Sequence, residues 1–129
     1  MKNFLIAILI TGFVLLMAWY KNNNSFLKYR LENKTYKLIV VYNQSEWSKG
    51  LMYYKNKKEL KGADGMIFIF PEKEYRTFWN KNTYLDLDIY WLDNDSVVGK
   101  DYLPNILKTK KIFTVDSGKE VNKVVEIVR

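Results

Sequence analysis

The stretch Leu85-Asp86-Leu87-Asp88-Ile89-Tyr90-Trp91-Leu92 decides the fold. Leu85, Leu87, Ile89 and Trp91 alternate with Asp86, Asp88 and Tyr90, and a period of two puts each set on its own face of an extended strand. The run Asp93-Asn94-Asp95-Ser96 that follows reads as a hairpin turn. Its acids resemble the start of a calcium loop, but the glycine for the sharp turn and the closing bidentate Glu are missing. Working outward, short apolar and β-branched runs between turn residues mark further strands over 36–42, 66–70, 77–80, 97–103, 112–115 and 121–128. Seven short strands predict a mostly β fold, a compact antiparallel β-sandwich or barrel. One short helix is predicted over 45–54, where Ser45 can cap the first turn and Trp47, Leu51 and Tyr54 fall three or four residues apart.

Composition sets the class. Of 129 residues, 48% are hydrophobic and 27% charged, a globular balance that suits one domain. Cysteine and histidine are both absent, which excludes disulfides, the usual zinc sites, Ser-His-Asp triads and Cys-His dyads. Any catalysis would rest on Asp, Glu, Lys, Tyr or Ser, and no cofactor is expected. The net charge of +7 comes from eighteen Lys and only Arg30, Arg76 and Arg129 as arginines. Lysine lacks the planar fork that reads bases or grips phosphate at two points, so no nucleic-acid partner is expected.

Residues 4–20, FLIAILITGFVLLMAWY, carry no charge. As a helix they would span about 26 Å, close to a hydrocarbon core, with Trp19 and Tyr20 placed as an aromatic belt. No A-x-A pattern precedes a cleavage point. The expectation is an uncleaved, single-pass transmembrane anchor over 1–21, a linker over 22–34 and a β domain over 35–129. Lys21, Lys28 and Arg30 outweigh Lys2 under the positive-inside count, whereas the short N-terminal tail favours export. The β domain is expected on the extracytoplasmic side, with the membrane as partner through the helix.

Four motifs occur in order: Lys49-Gly50-Leu51-Met52-Tyr53, Gly65-Met66-Ile67-Phe68-Ile69-Phe70, Phe78-Trp79-Asn80-Lys81-Asn82-Thr83, and Leu87-Asp88-Ile89-Tyr90-Trp91-Leu92-Asp93. The series resembles the family known as domain of unknown function 192, over about residues 36–128. The resemblance implies a compact β-sandwich, often exported or membrane-anchored, with no agreed activity. Lys49 stands where the family usually has Arg, Asn80 where it has Met, and Asp86 where Pro is common. A Gly-rich closing segment common in relatives does not precede Arg129.

The densest polar set is Lys81, Asn82, Thr83 and Asp88, with Trp79 nearby. In a strand-turn-strand these side chains can converge, either to bind a ligand or only to fix the connection. Trp79, Tyr84 and Tyr90 could add a flat aromatic platform with a polar rim. The expected site is therefore Trp79, Lys81, Asn82, Thr83, Asp88 and Tyr90, in a binding or interaction module for a cell-envelope component such as a polysaccharide or peptide. The alternative is a glycosidase-like hydrolase using Asp86 and Asp88, which share a strand face about 7 Å apart.

Overall fold

The computed structural model describes residues 25–129. Six strands form one sheet in the order β1-β2-β3-β6-β4-β5: β1 (Phe26–Leu31), β2 (Lys34–Val41), β3 (Gly65–Trp79), β4 (Leu87–Asp93), β5 (Ser96–Leu103) and β6 (Thr114–Val128). All neighbours run antiparallel except β2 and β3, which are parallel. A parallel pair needs a long crossover, here built from α1 (Gln44–Lys49) and a 3-10 turn (Lys57–Leu60). Asn43 caps α1, its side-chain oxygen accepting from the Glu46 backbone N–H.

The β3–β6 ribbon explains how one sheet makes a layered core. Phe68 and Phe78 are ten residues apart on β3, a separation of about 33 Å along a straight strand. Their rings are nevertheless 4.9 Å apart, edge to face. The strand doubles back through register shifts between Ile69 and Glu74 and between Tyr75 and Thr77, as bulges allow. Pro71 sits in the first of these irregular segments, where a missing N–H breaks no ladder bond. Arg76 pins the bend: its Nη2 donates to the Glu72 carbonyl at 2.7 Å and its Nε to the Val121 carbonyl at 3.1 Å, while its guanidinium lies 3.5 Å from the centre of the Phe70 ring.

Both sheet faces are apolar. Met66, Phe68, Ile89, Trp91, Val124 and Val128 pack beneath the crossover segment and the folded-back ribbon. On the other face, Leu31 and Leu38 join Ile67, Tyr90, Leu92, Val125 and Ile127. Tyr29 of β1 donates to Asp95 in the β4–β5 turn at 2.6 Å. Strands at opposite ends of the sheet order thus meet, so the sheet rolls around this second core.

Several expectations need correction. The predicted strands over 66–70 and 77–80 are one strand, and those over 112–115 and 121–128 are another, because bulges carry the ladder through residues that read as breaks. β1 lies within the stretch read as linker. A second short helix, α2 (Ile106–Thr109), accompanies the one predicted, with Asn105 capping the Lys108 N–H. The transmembrane anchor falls on residues 1–21, outside the described residues. Among the described residues no helix is long and apolar enough to cross a membrane, since the longest has six residues. The single-pass membrane localisation, the membrane partner and the extracytoplasmic placement that depended on the anchor are withdrawn with it.

Candidate functional site

The sequence-predicted set is split by the sheet. Asp88 and Tyr90 alternate with Leu87, Ile89 and Trp91 along β4 and so face the second core, where Tyr90 is buried. Trp79 and Thr83 lie on the opposite side, lining a cavity. Lys81 and Asn82 belong to the turn between β3 and β4: Lys81 Nζ sits 5.1 Å from the centre of the Trp79 ring, and the Asn82 amide donates to the Tyr53 hydroxyl at 3.0 Å. Thr83 Oγ1 donates back to the Lys81 carbonyl at 3.0 Å, closing the turn. Asn80 is fully buried and satisfied, donating to the Pro104 carbonyl and Thr109 hydroxyl and accepting from the Phe113 N–H.

Asp86 and Asp88 are structural ion-pair partners. Asp86 accepts from the Tyr102 hydroxyl and from both the backbone and side-chain N–H of Asn105, each at 3.0 Å, and pairs with Lys108. Although partial burial opposes it, this donor set holds the Asp86 carboxyl down to about 2. Asp88 pairs with Arg129 Nε at 2.9 Å, and that guanidinium stacks 4.0 Å from the centre of the Tyr102 ring. A hydrolase of the expected kind needs one carboxyl held protonated as the acid. Asp86 is held ionised and both carboxylates are occupied, so the glycosidase-like reading is overturned. Among the described residues, no three of His, Cys, Asp and Glu converge to hold a metal ion.

Asp86 instead ties β4 to α2. Asp86→Ala is expected to lower stability by about 2 kcal/mol at pH 7, as measured by urea denaturation. Because the folded carboxyl titrates below its unfolded counterpart, its contribution is complete above the unfolded value of 3.8 and disappears as pH falls through about 2. The gap between wild type and variant should close over that acid range.

The cavity holds about 400 Å³ and opens between α1 and the folded-back end of β3. Trp47, Phe68, Phe70, Phe78 and Trp79 supply its aromatic walls. The rings lock one another in place: Trp47 to Phe70 at 4.8 Å, Phe68 to Phe78 at 4.9 Å and Phe78 to Trp91 at 5.5 Å between centres. Trp47 is fixed further by its indole N–H, which donates to the Val41 carbonyl at 3.3 Å. Gly50 ends α1 at φ 48°, and a Cβ there would meet Phe68 at 3.2 Å and approach Glu126 Oε2 to 3.8 Å. A side chain at that position would crowd the cavity floor.

That floor holds the residue that sequence reasoning missed. Glu126 stands opposite Met66 on β3 and Ile89 on β4, on the same face as Val124 and Val128. It is 5% exposed, and its Oε2 has no hydrogen-bond partner among the described residues. Burial pushes its carboxyl up to about 8. An unsatisfied buried polar group costs about 1–3 kcal/mol. The signal was present in Val124-Val125-Glu126-Ile127-Val128, an acid inside an aliphatic run at a core-facing register.

These features define a small, rolled β domain with a preformed aromatic cavity and a carboxyl at its base. The chain belongs to the DUF192 family, described as "Uncharacterized ACR, COG1430", whose model matches residues 27–129. No curated protein matches. Among solved structures, it is similar to a candidate transcription regulator from Sinorhizobium meliloti 1021, at 25% identity and TM-score 0.61, over 81% of this chain and 82% of that one. It is also similar in fold to a protein of unknown function from Novosphingobium aromaticivorans DSM 12444, at 22% identity and TM-score 0.57, over 73% and 64% of the two chains. The expected role as an anchored envelope-binding module is withdrawn: it rested on a membrane helix absent from the described residues, and two of its six site residues, Asp88 and Tyr90, face the opposite side of the sheet from Trp79 and Thr83.

Proposed function

We propose that this domain binds a small organic ligand in the cavity between α1 and the end of β3, with Trp79 and Thr83 among its walls. The observation that supports the reading is Glu126. A carboxyl in the middle of an apolar sheet face lowers stability, and a hydrophobic residue there would pack without penalty. Its position at the base of a concave, aromatic-walled space fits the pattern of ligand pockets, which are mostly apolar with a few placed polar groups.

Trp47 and Trp79 both line the cavity, so intrinsic fluorescence reports on its occupancy. Titrating a panel of small aromatic compounds into the full chain is expected to give saturable quenching. Trp47→Ala is expected to weaken that binding by about tenfold, near 1.4 kcal/mol. Leu107→Ala, at a 70% exposed position on α2, should leave it unchanged. If no compound gives a saturable change, the cavity is not a binding site.

A further inference from the structure

We propose that the ligand is an organic amine, its ammonium group seated on Glu126 and its apolar body against the aromatic walls. This rests on the cavity being the binding site and adds the chemistry of its occupant.

Three observations select an amine over other ligands. The first is the unpartnered carboxyl oxygen of Glu126, 95% buried at the cavity floor. A ligand carrying its own carboxylate or phosphate brings no charge that offsets an ionised Glu126, whereas an ammonium supplies both a donor and the opposite charge.

The second is that the lining cation already has partners. Arg76, the lining cation, spends Nε on the Val121 carbonyl and Nη2 on the Glu72 carbonyl, with Nη1 turned to Glu74 at 3.7 Å. Three lining hydroxyls are also committed. Thr77 donates to Asp116, Thr83 to the Lys81 carbonyl and Ser48 to the Gln44 carbonyl. A sugar, which needs many polar partners at once, would find few.

The third is that the walls already accept cations on their faces. Arg76 stacks on Phe70 at 3.5 Å and Lys81 lies 5.1 Å from the Trp79 ring centre. Aromatic faces attract ammonium groups through their quadrupoles, so rings and carboxyl act together on one positively charged group.

Proton bookkeeping gives the test. Burial keeps the empty site's carboxyl protonated at neutral pH. An ammonium binds the carboxylate, so one proton leaves Glu126 for solvent on binding. Amine affinity should then rise about tenfold per pH unit below the raised value and level off above it. The other charged or titratable groups lining the cavity are Tyr75 and Arg76 on β3; α1 presents Gln44, Trp47 and Ser48, none of which titrates near neutral pH, and Ile89 and Met66 face the carboxyl from β4 and β3.

The experiment titrates benzylamine, benzyl alcohol and benzoate into the full chain at pH 6, 7 and 8, following tryptophan fluorescence. Benzylamine is expected to bind best, gaining about tenfold between pH 6 and 7, with benzyl alcohol insensitive to pH. Glu126→Gln should lose at least about tenfold for benzylamine and abolish its pH dependence, while benzyl alcohol binding persists. If Glu126→Gln does not fold, the benzylamine-to-benzyl-alcohol affinity ratio of the wild type decides alone, by rising with pH or not. Equal binding of amine and alcohol at all three pH values, or tighter binding of benzoate, overturns the amine while leaving the cavity as a binding site. No binding by any of the three overturns both.

Discussion

Between pH 5 and pH 9 the folded domain is expected to lose on the order of 4 kcal/mol of stability through Glu126 alone. Its carboxyl is raised from 4.5 to about 8 by burial between Met66 and Ile89. A raised acid holds its proton in the folded state after the unfolded chain has released it. Its contribution is therefore whole below 4.5 and is lost as pH rises through about 8.

That window is unusually clean. The sequence has no histidine and no cysteine. Asp64, Asp86 and Asp95 are held low by their donors, completing their titration on the acid side. Tyr29, Lys100 and Lys108 are raised and titrate on the alkaline side. Urea denaturation of the full chain across the window should thus show midpoints falling with pH. Glu126→Leu should give a nearly flat profile and exceed the wild type most at pH 9, because an aliphatic group meets Met66, Phe68 and Ile89 without a charge to desolvate. A flat wild-type profile would show that the carboxyl is paired or hydrated in solution, and would remove the cost on which the binding reading stands.

How much of this could be read from the chain depends on the range of the interactions involved. β4 was legible because a strand buried on both faces beside a turn carries its own pattern, Leu87-Asp88-Ile89-Tyr90-Trp91-Leu92. β3 was cut in two because Pro71, Glu72, Lys73 and Glu74 read as a break; the bulge that admits them is stabilised by Arg76 reaching Val121, forty-five residues away. β1 is an edge strand, largely exposed on both faces, so its alternation carried no apolar signal and it was read as linker. The spacing of Asp86 and Asp88 was visible. Their neutralisation was not, because Lys108 and Arg129 come from α2 and the end of β6, twenty-two and forty-one residues on. Two of the six expected site residues part from the others for a local reason: the turn places Trp79 and Thr83 on one side of the sheet, while the period of two turns Asp88 and Tyr90 to the other. Glu126 was readable in principle, since alternation aligns it with Val124 and Val128. Counting 121–128 as an apolar run concealed it.

Gly65→Ala is expected to destabilise the domain by on the order of 4 kcal/mol or more, a larger loss than most single-methyl additions to a core. Gly65 opens β3, paired on one side with Leu38 of β2 and on the other with Ile127 of β6. A Cβ built there runs into the Glu126 carbonyl oxygen, with the Glu126 carbonyl carbon at 2.8 Å and the Ile127 Cα at 3.0 Å. These are backbone atoms of a strand paired on both sides, by β3 and β4, so no side-chain rotation relieves the clash. Only separation of β3 from β6 can, and that opens the longest strand pair in the fold. The effect should reach the cavity as well, because the backbone that must move is that of Glu126. Urea denaturation at pH 6, where the carboxyl is protonated in the folded state, isolates the steric cost from the titration. A loss below about 1 kcal/mol there would show that the β3–β6 ladder yields easily, and the close approach of the two strands would then not be what fixes Glu126 at the cavity floor.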